Sequence, residues 1–380
     1  MKKKLIVVAV AGALSAPALV MAQSSTVQIY GRITAEYAYV DRGQGTEKGD
    51  LLQTPGGSSI GFKGEEKLGG GLSAWFQCES SADVTEGGDG LCTRNSAIGF
   101  KGGFGNVYIG RWDTPFKKAM SIGDGTGSED TGVQGSSRIL AGNSTGQVGV
   151  GNRGIWKRRQ GNTINYDTPN FGGFHAEVSY STLEASGTNT TIPATPEPRV
   201  WSIAGLYSAG PLGLGIGYEK HDDFGGTGLD DKAWVIAARY KFGPATIGGT
   251  FNKQDYDGPA GASADRKAWS VGIEWNLGGP HNLEAMYGEA DDMKGTAGFA
   301  PSSLLPAVDP AGGTGAKNYQ IAYRHVLSKR TEARIAYSVM DNDSRTNVYA
   351  LNGLSSSPTP PSGTLGEKQS AISLLLKHRF

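Results

Sequence analysis

The chain has 380 residues, among them 36 basic and 36 acidic side chains, 59 glycines and two cysteines. This charge balance excludes a strongly basic nucleic-acid-binding protein. After the first 22 residues no stretch approaches the 18 consecutive apolar residues of a membrane-spanning helix. Helical membrane proteins are therefore excluded as well.

The first 22 residues have the pattern of a secretory signal peptide. Three lysines follow Met1, an apolar segment runs from Leu5 to Leu14, and a small-residue cleavage site ends at Ala22. Cleavage there would leave Gln23 as the mature N-terminus, and 33 basic against 36 acidic side chains would remain. We expect two regions, a signal peptide over 1–22 and a single β domain over 23–380.

The two cysteines are Cys78 and Cys92, and neither stands near the cleavage site, where a lipid-anchoring cysteine would be needed. In an exported chain two cysteines at this spacing favour one structural disulfide. Two free thiols are the alternative. No lipid anchor is expected.

From Gln23 onward, segments of about ten residues alternate apolar with small or polar side chains, which is typical of transmembrane β-strands. In the first such segment Val27 and Ile33 share one face, and Arg32 falls on the other. A soluble β-sandwich also alternates, but its apolar face must meet a second sheet. The position of the aromatic residues distinguishes the two.

Aromatic residues recur six positions apart on the apolar face of predicted strands, which places two rings on one side, roughly 20 Å apart. Rings at both ends of an apolar stripe are typical of the two interfacial girdles of a membrane barrel. The predicted interface aromatics are Trp201, Tyr207, Trp234, Tyr240, Trp269, Trp275 and the terminal Phe380.

Short turns and long connections alternate along the chain, and together they separate sixteen strands. The short turns are predicted at 67–71, 102–105, 170–173, 208–211, 242–244, 277–280 and 327–330. The long connections are predicted at 41–56, 82–93, 112–160, 184–198, 221–230, 255–265, 292–314 and 343–366. In outer-membrane barrels the short turns face the periplasm. The last strand, 369–380, would pair with the first and remove both sheet edges.

Five segments in order resemble the general porins of Gram-negative outer membranes, and most closely the trimeric porins of β-proteobacterial type. They are 59–77, 103–111, 166–174, 327–331 and 377–380. The resemblance implies an all-β fold, a 16-stranded antiparallel transmembrane β-barrel with a long third loop, 112–160, folded into the pore. It also implies a homotrimer in the outer membrane, in contact with lipid and lipopolysaccharide.

In such porins basic side chains on the barrel wall face groups on the third loop, and this resemblance implies the residues of a pore constriction. The set comprises Arg32, Lys63, Arg94 and Arg111 on the wall, Asp124, Glu129 and Asp130 in the loop, and Arg158 or Arg159 where the sixth strand begins. Arg32 and Lys63 also lie on the polar face by alternation alone. Ser59 occupies a wall position that is often arginine in the family, so we expect a smaller basic cluster here.

The expected function is a general diffusion porin, a passive, water-filled channel for small hydrophilic solutes and inorganic ions. The basic majority among the constriction residues favours a weak preference for anions. One alternative is a channel selective for sugars or organic acids, which would need aromatic residues along the lumen, where Tyr30, Trp75 and Trp156 are candidates. A receptor or adhesin acting through the loops is a third class.

An enzyme is not expected, and neither is a metal or another cofactor. The five histidines show no metal-binding spacing, and the glycines lack the strand–helix context of a dinucleotide site. Four histidines adjoin short turns or the C-terminus, and His221 is expected in an external loop beside Asp222 and Asp223. That placement leaves no nucleophile–histidine arrangement.

Overall fold

The structure, a computed structural model, describes residues 27–43, 48–87, 90–124, 139–140, 153–181, 198–302, 305–351 and 365–380. The predicted signal peptide, 1–22, lies outside these residues. Among the described residues, no helix is long and apolar enough to cross a membrane.

The described residues are mostly β-strands, with one α-helix of three turns. The elements are β1 Gln28–Asp41, β2 Lys48–Gln53, β3 Ser59–Gly69, β4 Leu72–Ser81, β5 Ser96–Gly102, β6 Gly105–Asp113, α1 Pro115–Asp124, β7 Arg159–Asp167, β8 Phe174–Ser181, β9 Arg199–Ala209, β10 Leu212–Asp222, β11 Asp231–Phe242, β12 Ala245–Asp257, a 3₁₀ turn Pro259–Gly261, β13 Ser263–Gly278, β14 His281–Ala290, β15 Lys294–Gly295, β16 Ala316–Val326, β17 Thr331–Asn342 and β18 Lys368–Arg379.

The strands form one closed antiparallel barrel of sixteen strands. Neighbouring elements pair in chain order, and β18 pairs with β1, so the sheet has no free edge. Two strands are interrupted: β2 and β3 pair with successive halves of β1, and β15 continues β14 along β13. The eighteen labelled strands are therefore sixteen crossings. Closure satisfies the backbone groups that an edge strand would leave unpaired in lipid.

Alternate residues of each strand face opposite sides of the wall, as the sequence predicts. On β10, Ile216 and Tyr218 are exposed, whereas Gly215, Gly217 and Glu219 are buried. Exposed large apolar side chains cover the outward positions of the other strands too. We call this side the apolar face. Since apolar side chains of a membrane barrel contact lipid, the opposite side is the lumen face.

The seven predicted short turns lie between strands in the structure and share one side of the barrel. The prediction of a long connection at 255–265 is wrong. β12 runs to Asp257 and β13 begins at Ser263, which leaves only 258–262 between them. Tyr256 and Ala264 are buried near these strand ends. The predictions for 41–56 and 292–314 are corrected too, because β2 and β15 lie within these connections.

A cluster of apolar side chains is buried between the lumen face, chiefly of β9 to β14 with further members on β1 and β16 to β18, and segments of the long connections. Its largest members are Phe116, Met120, Ile139, Leu140, Trp156, Tyr256, Met293, Leu305, Met340, Tyr349 and Leu351. α1 contributes to this cluster and contacts β8 to β13. The opposite part of the wall, β1 to β7, carries charged groups on the same face.

Candidate pore constriction

On the lumen face of β1 to β5, one carboxylate binds the predicted constriction residue Arg94, and a tyrosine beside it meets a second one, Lys63. Glu79 on β4 accepts from Arg94 Nε at 2.6 Å and from the Tyr30 hydroxyl at 3.2 Å. The Lys63 Nζ lies 5.0 Å from the centre of the Tyr30 ring. Arg94 and Glu79 are both largely buried, so their ion pair is weakly screened.

A second carboxylate gathers cations from the two ends of the long third connection. Asp113 ends β6; it accepts from Lys117 on α1 at 2.7 Å and lies 3.2 Å from Arg159 Nε at the start of β7. Asn95, the residue after Arg94, belongs to this second group: its amide donates to Asp113, and its side-chain oxygen accepts from Arg159 at 2.5 Å.

We call Lys63, Glu79, Arg94, Asp113, Lys117 and Arg159 the wall cluster. It holds four basic and two acidic side chains. Burial lowers the pKa of Lys117 to about 8, against the opposing effect of Asp113, so this lysine is mostly protonated at pH 7. At neutral pH the wall cluster therefore has an excess of positive charge.

A short segment after the loop of residues 82–91 holds Arg94 in place. The backbone N–H of Arg94 donates to Glu79 O at 2.8 Å, and the N–H of Cys92 donates to Ser80 Oγ at 2.9 Å. Cys78 and Cys92 form a disulfide, with their Cα atoms 4.7 Å apart, which confirms the bonded alternative. This cross-link fixes the chain two residues before Arg94.

Three other predicted constriction residues are Arg32, Arg111 and Arg158. Arg32, on the lumen face of β1, donates to Gly57 O at 2.5 Å and stands opposite Arg379 on β18. Arg111 lies at a bulge where β6 departs from regular pairing with β7. Arg158 is buried with its guanidinium 5.2 Å from the Phe224 ring.

The loop acids cannot be placed in the same way. Asp124 ends α1, and its side chain lies outside the described part; Glu129 and Asp130 lie wholly outside the described residues. Among the described residues, the acids that bind cations of the wall cluster are Glu79 and Asp113, and both belong to the wall strands themselves.

The expected position of His221 in an external loop is wrong. It lies near the end of β10, fully buried on the lumen face, and its ring stacks on Trp156 with 4.1 Å between centroids. Glu219 lies 2.9 Å from its Nε2, and Phe224 stacks against it at 4.5 Å. The alternation continues through His221 because Trp156 covers it, which local sequence could not reveal.

The helix that follows β6 is held against the lumen face of β10 by glycines. A Cβ added at Gly215 would lie 2.6 Å from Ala119 O, and one added at Gly217 would lie 3.1 Å from the Ala119 Cβ. The N–H of Phe116 donates to Ser202 Oγ on β9 at 2.9 Å. Only glycine allows α1 to approach the wall so closely at Gly215.

The returning part of the same connection is fastened to the wall by buried polar contacts. Arg153 donates from Nε and Nη2 to both carboxylate oxygens of Asp231 on β11, at 2.9 and 2.5 Å. Trp156 donates from Nε1 to the Tyr256 hydroxyl at 2.9 Å. Both ends of the long connection therefore contact the lumen face.

The predicted interface aromatics, by contrast, all face away from the lumen. Trp201, Tyr240 and Trp275 are each about half exposed, as is the terminal Phe380, and the ring partners of Trp234 and Trp269 are Phe251 and Tyr287 on the same face. Tyr207 shares the outward side of β9 with Trp201.

Sequence reasoning missed Glu79, Asn95, Asp113 and Lys117 as members of the site, and Tyr108 and Trp112 as lumen aromatics. For Tyr108 a signal existed, since it alternates with Val107 and Ile109 and so belongs to the polar face. Lys117 offered none, because its helix was expected as irregular loop.

Known proteins match both the sequence and the fold. The family model for Gram-negative porins matches residues 7–345. The chain belongs to the Gram-negative porin family. As a porin it is a multi-pass β-barrel of the outer membrane that forms a diffusion channel, which confirms the function predicted from sequence. In outer-membrane barrels the short turns face the periplasm, and we expect the same orientation here.

Known relatives and solved structures match this porin over all, nearly all or half of its length. The chain is 28% identical to outer membrane porin protein 32 of Delftia acidovorans over 387 aligned positions, covering 100% of both chains. It is 34% identical to the major outer membrane protein P.IB of Neisseria gonorrhoeae over 197 positions, half of each chain. The anion-selective porin from Comamonas acidovorans superposes with a TM-score of 0.72 at 23% identity, covering 94% of this chain and 100% of that one.

Replacing both cysteines, as Cys78→Ser with Cys92→Ser, should destabilise the porin and weaken its anion preference. Losing a cross-link that closes a loop of this length costs about 3 kcal/mol in the chain-entropy account, and the segment that carries Arg94 loses an anchor. Thermal unfolding and reversal potentials in a KCl gradient measure the two effects. If neither changes, the disulfide does not hold Arg94.

Proposed function

We propose that this porin is a passive general diffusion channel with a weak preference for anions, narrowed by its third loop. The observation that carries the anion preference is the wall cluster, with four cations and two carboxylates on one stretch of lumen face. A charged, partly desolvated wall raises the local concentration of counter-ions. The relative described as an anion-selective porin supports the same sign of selectivity.

The third loop, 112–160, folds into the bore in this proposal. Support comes from α1, which contacts the lumen face at Gly215 and Gly217, and from the Arg153–Asp231 ion pair at the returning end. A sixteen-stranded barrel without such a loop leaves a wide aqueous channel. The loop then narrows the lumen beside the wall cluster, to which its own Lys117 belongs, with Arg32, Arg111 and Arg158 as further charges of the bore.

The functional assembly in this proposal is a homotrimer in which each barrel has its own pore. A structural neighbour, OmpT of Vibrio cholerae, was solved in a trimer form and superposes with a TM-score of 0.65 at 13% identity. The outward aromatics, among them Trp201 and Trp275, would contact outer-membrane lipid and lipopolysaccharide. The mature chain would begin at Gln23 after signal cleavage, and we assign it no catalytic step and no cofactor.

The ion preference is tested by reversal potentials of the trimer in planar bilayers with a KCl gradient at pH 7. We expect chloride to be preferred over potassium by a factor of a few. A clear preference for potassium would overturn the proposal. Liposome swelling with sugars of graded size tests general diffusion, where uptake should fall with size without saturating; saturation by one sugar would favour the substrate-selective alternative.

A further inference from the structure

Three aromatic rings meet on the lumen face of the wall, on β4 and β6. The ring centroids of Trp75 and Tyr108 are 5.4 Å apart, those of Trp75 and Trp112 are 5.8 Å apart, and those of Tyr108 and Trp112 are 5.3 Å apart. The planes are inclined by 56° to 70°, the edge-to-face geometry that aromatic pairs favour. We call these three residues the aromatic shelf.

The orientation of the shelf follows from the alternation of its strands. Trp75 shares its face with Glu79, while its neighbour Phe76 is 39% exposed on the apolar face. Tyr108 is almost completely buried, whereas Trp75 and Trp112 keep part of their surface accessible. On the lumen side of a membrane barrel, that surface is available to permeating solutes.

Wall residues bind the polar atoms of two of the three rings. Trp75 donates from Nε1 to Asn106 Oδ1 at 2.7 Å, and the Asn106 amide donates to Asp167 at 3.2 Å. The Tyr108 hydroxyl donates to the same carboxylate at 3.4 Å. Gly99 lies between the two strands, where a Cβ would come within 2.5 Å of the Tyr108 Cβ. Trp75 and Tyr108 are thus anchored to the wall, and Trp112 packs edge-on against both rings.

The shelf borders the cations of the wall cluster. Trp112 immediately precedes Asp113, the carboxylate to which Lys117 and Arg159 are bound. On the other side, Trp75 is two residues along β4 from Gln77, which stands opposite Lys63. A solute whose ring rests on the shelf can therefore place an acidic group beside these cations.

We propose that the aromatic shelf and the neighbouring cations form a binding subsite for small aromatic carboxylates. The ring of such a solute would stack against Trp75 and Trp112, and its carboxylate would lie toward Lys117 and Arg159. This inference rests on the proposed anion-preferring constriction and names the class of anion that it retains longest. A ring contact of this kind increases affinity by about three- to tenfold.

The test is the block of chloride current through single porin trimers at pH 7 by benzoate, compared with cyclohexanecarboxylate. Both acids carry one charge and a six-membered ring, and only benzoate is aromatic. We expect saturable block by both, with half-block at a three- to tenfold lower concentration for benzoate. Equal half-block concentrations for the two acids would overturn the proposal.

Variants then locate the subsite. Trp75→Leu and Trp112→Leu should each reduce the difference between the two acids, and Trp75→Phe should keep most of it. Phe76→Leu is the matched control, since it removes a ring from the next position of the same strand on the lipid side, and it should leave both half-block concentrations unchanged. An undiminished benzoate preference in both leucine variants, or a loss of it in Phe76→Leu, contradicts the assignment.

Reversal potentials recorded with the same trimers separate this proposal from the one on which it rests. If chloride is preferred over potassium but the two acids block equally, the subsite alone is wrong. If potassium is preferred, the anion-preferring constriction is wrong. Far-ultraviolet circular dichroism of each variant checks that the barrel has folded.

Discussion

Replacing Arg94 and Arg159 together by glutamine should abolish or invert the anion preference of the porin. The double variant leaves Lys63 and Lys117 against Glu79 and Asp113, so the wall cluster becomes neutral. Two unit charges 4 Å apart interact by about 1 kcal/mol in bulk water and by several times more near a protein wall. We therefore expect the chloride-to-potassium permeability ratio to fall by about fivefold or more, measured as a shift of the reversal potential in a KCl gradient.

The matched control removes the same number of cations elsewhere. Lys329 and Arg330 lie exposed in the short turn between β16 and β17, away from the wall cluster. Lys329→Gln with Arg330→Gln should change the reversal potential much less. An equal shift in the two double variants would mean that net charge, and not the wall cluster, sets the selectivity.

The faces of the barrel wall were predictable because they depend only on the two-residue period of a strand. This period placed Arg32 and Lys63 on the polar face and Trp201 and Trp275 on the apolar face. Strong local turn sequences gave the short connections in the same way. Such local patterns do not depend on how distant segments of the chain pack.

The partners of the constriction charges were not predictable, because they come from distant parts of the chain. Arg158 and Arg159 are adjacent in sequence, yet Arg158 is buried beside His221 and Phe224, whereas Arg159 meets Asp113 and Asn95. Choosing between them requires knowing where β7 begins and what covers the residue before it. The composition of a glycine-rich loop indicates neither the start of β7 nor the side chains that cover Arg158.

The close approach of α1 to the wall shows the same limit. Gly215 and Gly217 read as ordinary small residues of a lumen-facing strand, and nothing nearby shows that a helix lies against them. Their meaning depends on Ala119, which is nearly a hundred positions earlier in the chain. Family resemblance implied that the third loop folds into the pore. The residues that the loop contacts on the wall could be found only from the three-dimensional structure.

Removing the carboxylate of Asp231 should destabilise the docked third loop more than any surface change. Arg153 and Asp231 form a buried bidentate pair, and Arg153 also donates to Asp257 O. Asp231→Leu alone leaves a buried guanidinium without its counter-charge, which costs about 3–5 kcal/mol. We expect a lower midpoint of thermal unfolding and noisier single-channel currents, because the returning end of the loop loses its anchor.

Two comparisons decide whether the buried charge is the cause. The double variant Asp231→Leu with Arg153→Met removes both charges and should recover most of the midpoint, because an apolar pair of similar volume can replace a buried ion pair. Lys368→Ala breaks the exposed pair with Asp341 and should cost at most about 1 kcal/mol. If Asp231→Leu behaves like Lys368→Ala, the Arg153–Asp231 pair does not anchor the loop, and the helix contacts at Gly215 and Gly217 must hold it instead.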